Sequence, residues 1–335
     1  MSPLPRLMRA VTALAVAGLV LTGCSDSDTD TPREKGASDT QGQQGAFPLT
    51  LTHGQGKVTI PRKPERVVVL GFADAQIAAA LGAPVVGGTR NTSSTDGNWL
   101  GVSPGFSSDV LTLDAINPNL EKILALKPDL ILMTTAQPGY GSAYKKLSAI
   151  APVVSYKNKL LQDSGDELTT LIGQALGEEK KAEQLIAKSH KSLADFAAAH
   201  PGLKGKAYAF GQEAGGTVHA VVATDGPTAR FFGALGMKLP EPLVKLGIES
   251  GGKTQLSQEN LDLLDNAQIA FFGVPDKKAG DAFVKRPVVS SLKLTTSGSL
   301  HFLDYNESGM LLGPNPAVTD MLLAKLGPAL KKASA

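Results

Sequence analysis

From Arg66 onward, short runs of β-branched and aliphatic residues alternate with longer stretches at helical spacing. Val67–Leu70, Val85–Val86, Leu130–Met133 and Val153–Tyr156 read as strands, and a second set, Ala207–Phe210, Val218–Val222, Ile269–Val274 and Leu300–Leu303, follows a helical middle. Short apolar strands separated by helices argue for parallel sheets covered on both faces. The pattern predicts an α/β protein of two Rossmann-like lobes, about 48–160 and 203–335, flanking a helical connector over 161–202.

That connector has a readable shape. Leu168, Leu171, Ile172, Ala175 and Leu176 keep helical spacing, Gly177 interrupts it, and Ala182, Leu185, Ile186, Leu193, Phe196 and Ala197 resume it. Pro201 stops the run, because proline cannot extend a helix. A single backbone helix over 178–200 would be about 35 Å long, enough to run the height of both lobes. As the only connection, so stiff a rod predicts limited hinge motion, where flexible strand crossovers would allow wide closure.

Composition places this body. Of 335 residues, 42% are hydrophobic and 19% charged, too apolar for a disordered chain and long enough for two domains. The first residues, MSPLPRLMRAVTALAVAGLVLTGC, join Arg6 and Arg9 to an apolar stretch over 10–21 too short to span a bilayer comfortably, which reads as a secretory signal over 1–23. Its end, Leu21-Thr22-Gly23-Cys24, resembles a bacterial lipobox, in which the cysteine is lipidated and begins the mature protein. Cys24 is the only cysteine, so neither an intrachain disulfide nor a cysteine-based zinc site is available. Cleavage there removes two of 33 basic residues against 31 acidic ones, leaving no net charge and no call for a nucleic-acid partner. The span 24–47 contains almost no large apolar residue and reads as a lipidated N-terminus and flexible tether. No later segment approaches 18 continuous apolar residues, so membrane contact is expected through the lipid anchor only, on the outer face of the cytoplasmic membrane.

Four long stretches resemble the helical-backbone periplasmic binding proteins of ABC importers for iron–siderophore complexes, haem and cobalamin. They are Val58–Pro61 followed by Pro64–Gly71; Ala80–Gly87; Asn119–Ile131, the most specific; and Tyr144–Val153. The likeness covers nearly the whole mature body. It implies a ligand cleft between the lobes and, in each lobe, a glutamate that pairs with an arginine of the permease. Glu121 sits near the start of a helix whose apolar stripe is Leu120, Ile123 and Leu124, which turns it outward. Glu259 follows Ser257 as N-cap, with Leu256 and Leu261 as a hydrophobic staple. Acids in a first helical turn also complement the helix dipole without any partner. The resemblance makes Glu121 and Glu259 the docking pair.

Ligand contacts are expected on loops after strands, where α/β folds place their sites. The candidates are Arg90, Trp99, Tyr140 in a Gly-Tyr-Gly loop, Arg230, Arg286 and Tyr305. Arginine forks suit an anionic, oxygen-rich chelate, and aromatic rings suit flat faces. Three arginines point to a catecholate or carboxylate ferric siderophore. Direct metal capture is not expected, because His53, His190, His200, His219 and His301 are scattered without ligand spacing.

Gly247–Thr254 fits the phosphate-loop pattern G-x-x-x-x-G-K-T letter for letter. That pattern works only between a strand and a helix, and here the segment reads as a loop, with Pro240 and Pro242 before it. No G-x-S-x-G elbow, H-E-x-x-H or reactive thiol suggests an enzyme. The sequence is therefore read as a monomeric, lipid-anchored receptor without an intrinsic cofactor. It would take an Fe(III)–siderophore complex and deliver it to an ABC permease. The alternatives are a haem or cobalamin receptor of the same fold, or a cell-envelope lipoprotein without a transport role.

Overall fold

A computed structural model describes residues 47–335. The signal segment, Cys24 and the tether up to Ala46 lie outside the described residues. The described part opens with an antiparallel hairpin, β1 (Leu49–His53) and β2 (Gly56–Ile60), which falls inside the expected first lobe but precedes the first strand read from the pattern. Leu51 and Ile60 are buried in the same core as Val67 and so seat the hairpin on the first lobe.

The first lobe is a four-stranded parallel sheet: β3 (Val67–Val69), β4 (Val85–Gly88), β5 (Leu130–Met133) and β6 (Val153–Ser155), in the order β4-β3-β5-β6. Successive side chains of a strand point to opposite faces. Val67, Val69, Leu130 and Leu132 enter one core, and Val68, Leu70, Ile131 and Met133 enter another. Apolar cores on both faces explain why these strands read as continuous hydrophobic runs.

The second lobe holds β7 (Tyr208–Ala214), β8 (Thr217–Val221), β9 (Lys253–Leu256), β10 (Ile269–Gly273) and β11 (Leu300–Leu303), ordered β11-β10-β7-β8-β9. This sheet corrects the all-parallel expectation. β7, β10 and β11 run parallel, but β8 is antiparallel to both β7 and β9. The cause is Gly215-Gly216, both at positive φ, which forms the two-residue loop of a tight hairpin.

Helix Gly165–Leu176 ends at Gly177 in the left-handed conformation, and the rod follows as Glu179–Ala199. Its 21 residues span about 31 Å. Ala182 and Leu185 pack into the first lobe's core, and Leu193, Phe196 and Ala197 into the second lobe's. The rod carries the one chain crossing between the sheets, yet it is not the only contact. The Asn315 amide donates to Gln76 Oε1 at 2.7 Å. Leu100 of the first lobe packs into the second lobe's core.

His53 closes β1, 4% exposed, with its ring edge-on to Tyr144 at 5.8 Å. Burial lowers its pKa below the usual 6.5, so the folded state binds fewer protons than the unfolded one. Its stabilising contribution is therefore complete above about pH 6.5 and is lost as pH falls toward the folded value. Thermal unfolding followed from pH 7.5 to 5 should show a falling melting temperature, and His53→Phe should flatten that slope. His301, lowered by burial in the same way, keeps part of it. An unchanged slope would show that His53 does not titrate against folding.

Candidate ligand-binding site

A cavity of about 320 Å³ lies between the lobes. Its walls come from segments that follow β3 (Phe72), β4 (Asn91, Trp99), β5 (Gln137) and β11 (Tyr305), and from Lys253 on β9. The volume falls at the lower end of ligand pockets, roughly 300–1,000 Å³. A wider groove of about 840 Å³ beside Glu121 belongs to the first lobe alone.

The cavity walls are tied in place. Trp99 Nε1 donates to Thr89 Oγ1 at 3.1 Å, and its ring lies 6.3 Å from that of Phe72. The Asn91 amide donates to Asn306 Oδ1 at 2.8 Å, and Asn306 Nδ2 donates back to the Ser93 carbonyl at 3.1 Å, closing the seam between the lobes. Gln212 Nε2 donates to Ser308 Oγ at 3.0 Å. The Tyr305 hydroxyl donates to the Glu213 carbonyl at 2.9 Å, and burial with the Glu213 charge raises its pKa, so it stays a neutral phenol. Lys253 is different. It is half-buried, burial lowers its pKa, and among the described residues no carboxylate pairs with its ammonium.

Of the six sequence candidates, the structure brings Trp99 and Tyr305 together in this cavity. Tyr140 does not belong there. It is fully buried inside the first lobe, its hydroxyl donates to the Asp114 carbonyl at 2.6 Å, and burial pushes its pKa up. Its Gly-Tyr-Gly segment is a helical turn, Pro138–Ser142, rather than an open loop. Arg286 is spent within the second lobe: Nη2 reaches Glu213 Oε1 at 2.7 Å, and the guanidinium lies 4.9 Å from the Phe283 ring. Arg90 lines the first-lobe groove instead of the cavity. Arg230 lies beside His190 of the rod, and its Nε donates to the Asp225 carbonyl at 3.0 Å. None of the three arginines lines the cavity between the lobes.

Glu121 and Glu259 are both exposed and both in the first turn of a helix. The helix Leu120–Ala125 is short, and its apolar side is Leu120, Ile123 and Leu126; Leu124, expected in that stripe, is 59% exposed. Ser257 takes the N-cap position of a 3-10 helix, Gln258–Asn266, without a side-chain cap bond. Each of these helices descends from the C-terminal edge of its sheet to the next parallel strand, β5 or β10, so the two acids occupy equivalent places in the two lobes.

The phosphate-loop look-alike is resolved as well. Lys253 and Thr254 lie on β9, a strand the sequence reading had taken as loop, and no helix opens at the lysine. Backbone amides therefore have no helix N-terminus on which to hold phosphate. The histidines are accounted for locally: His190 bonds Asp166 at 2.6 Å, His200 stacks on Phe196, His301 stacks on Phe271, and His219 sits on β8. Among the described residues no three His, Cys, Asp or Glu side chains gather as a metal site, and no helix is long and apolar enough to cross a membrane.

Sequence reasoning missed Lys253, Gln76, Asn91 and Gln212. Lys253 was hidden in a motif that pointed to phosphate. The amides carry no signal of their own: Gln76 on a helix, Gln212 on β7 and Asn91 on a loop are residue types most often found at the surface.

Comparison with known proteins gives a consistent placement. Fe(3+)-citrate-binding protein YfmC of Bacillus subtilis (strain 168) is 29% identical over 199 residues, which cover 58% of this chain and 59% of that protein, so the match spans less than two thirds of its length. The probable siderophore-binding lipoprotein YfiY of the same organism is 25% identical over 309 residues, covering 86% of this chain and 88% of YfiY. Among solved structures, PiaA of Streptococcus pneumoniae TIGR4 in complex with ferrichrome superposes with a TM-score of 0.72 at 24% identity, covering 85% of this chain and 98% of that one, which bears on the fold. The periplasmic binding protein family matches residues 67–304, the span that builds both sheets and every strand contributing to the cavity. With its two α/β lobes, its rod and its cavity between the lobes, the chain belongs to the periplasmic binding protein family.

Proposed function

We propose that this protein is the extracytoplasmic ligand-binding component of an ABC importer, held at the membrane by a lipid on Cys24, and that it takes a ferric siderophore into the cavity between its lobes. The observation that carries this reading is the cavity itself, lined by three aromatic residues, Phe72, Trp99 and Tyr305, and by Lys253, a half-buried lysine with no carboxylate partner among the described residues. The names of YfmC, as an Fe(3+)-citrate-binding protein, and of YfiY, as a siderophore-binding lipoprotein, agree with it. Binding is noncovalent. Iron stays in its chelator, and the protein touches the chelator's organic periphery through ring faces and Lys253. With one cation at the cavity instead of three arginines, the ligand carries little net negative charge, and a highly charged tris-catecholate fits less well than the arginine count suggested. Glu121 and Glu259 are read as the docking contacts to the permease.

Trp99 is the chain's single tryptophan and lies on the cavity wall, so its fluorescence reports occupancy directly. Titration with ferrichrome, ferric citrate and a ferric catecholate should give saturable one-site quenching by at least one of the three. Quenching by none of them, or a Soret band on addition of haem, would overturn the reading.

A further inference from the structure

Leu161 stands in the short segment between β6 and the helix Gly165–Leu176. Its φ of +60° lies in the left-handed region that branched side chains avoid. The segment is locked from both sides. The Asp163 carboxylate, 4% exposed, accepts the backbone N–H groups of Lys157, Asn158 and Lys159 at 2.5–3.2 Å. Ser164 then caps the next helix, its hydroxyl accepting from the Glu167 N–H while the Glu167 carboxylate accepts from the Ser164 N–H. Burial does not explain the conformation, since Leu161 remains 36% exposed.

Leu161 borders three spaces at once. One is the main cavity; the other two are small pockets of about 10 and 20 Å³, one against Thr134 and Thr135 and the other against Gly226 and Gly252. Leu161 is the one residue that lines all three. A strained residue at the edge of a binding cavity, held there by surrounding bonds, is the pattern in which strain serves a site.

We propose that Leu161 is a wedge that closes the inner end of the cavity and sets the bulk of the chelate admitted. An isobutyl group offers no hydrogen bond, so it selects by shape alone. Trimming it joins the adjoining pockets to the main cavity and enlarges the site. The proposal rests on the cavity being the ferric-chelate site.

The test compares wild type, Leu161→Ala and Leu161→Gly with two neutral ferric trihydroxamates of different bulk, tris(acetohydroxamato)iron(III) and ferrichrome. Leu161→Ala should shift the affinity ratio toward ferrichrome by about tenfold or more, the scale on which a few methylenes discriminate. Without ligand, Leu161→Gly should melt above Leu161→Ala, because only glycine relieves the left-handed strain. Binding with an unchanged ratio, or a glycine variant that melts below the alanine one, would overturn the wedge. If wild type and variants bind neither chelate, the siderophore reading fails on its own, and the melting order still decides whether Leu161 is strained.

Discussion

The double charge reversal Glu121→Arg, Glu259→Arg is expected to abolish uptake of the iron complex while leaving its affinity for the purified protein unchanged. Both side chains are exposed and neither lines the cavity between the lobes, so the substitutions remove nothing from the ligand. Each lies in a first helical turn, where exchanging an acid for a base costs the fold only a few tenths of a kcal/mol. At an interface the arithmetic differs. Removing one partner of a charge pair that docking buries and hydrogen-bonds costs about 2–5 kcal/mol, and reversal adds like-charge repulsion. Two such sites amount to about a thousandfold loss of docking at the least. Radioiron uptake in cells and stimulation of the reconstituted permease's ATPase measure the effect. Uptake at the wild-type rate would remove both acids from the docking face, and a fall in melting temperature matching the loss of uptake would reassign them to the fold.

A second large effect is expected at Lys253. Its ammonium is half-buried without a carboxylate partner among the described residues, so its desolvation goes uncompensated until a ligand brings negative charge. Replacing it with methionine keeps most of the stem and removes the charge. Ferric citrate, an anionic complex, should then bind about 10–100-fold more weakly, the worth of one charge-assisted contact. Ferrichrome, a neutral complex, should be nearly unaffected. The sign for stability is opposite. A lysine whose folded pKa is lowered destabilises the fold at neutral pH, so Lys253→Met should melt above wild type. Equal losses for both chelates would point to a shape change in the cavity, and no loss for either would remove Lys253 from the site.

The parts of this account legible in the sequence were those with a period. The inner strands of the first lobe, β3 and β5, are buried on both faces and read as unbroken aliphatic runs, and the eight strands expected from the pattern all stand where it put them. The rod announced itself through its spacing and through Gly177 and Pro201 at its ends. What was missed had weaker signals. β9 is four residues of half-buried alternation inside a glycine-rich motif, and the β7–β8 reversal depends on Gly215-Gly216, a hairpin signal that outweighed the parallel pattern. The site was less legible than the fold. Arginine on a loop after a strand says nothing about where the long side chain goes: Arg286 turned inward to Glu213, and Arg230 toward the rod. Tyr140 shows the same limit for aromatics, since a ring flanked by glycines turned out to anchor a core. Trp99 and Tyr305 reached the cavity because the segments carrying them meet at the seam held by Asn91 and Asn306.

The central claim is that the space between the lobes, and no other place on the molecule, receives an intact ferric chelate. A crystal of the protein soaked or grown with ferrichrome, with data collected at the iron absorption edge, tests it most directly. The account predicts one anomalous peak between the rings of Trp99 and Tyr305, with every iron ligand supplied by the hydroxamates and none by a protein side chain. A peak in the first-lobe groove beside Arg90 and Glu121, or iron coordinated directly by protein groups, would contradict it.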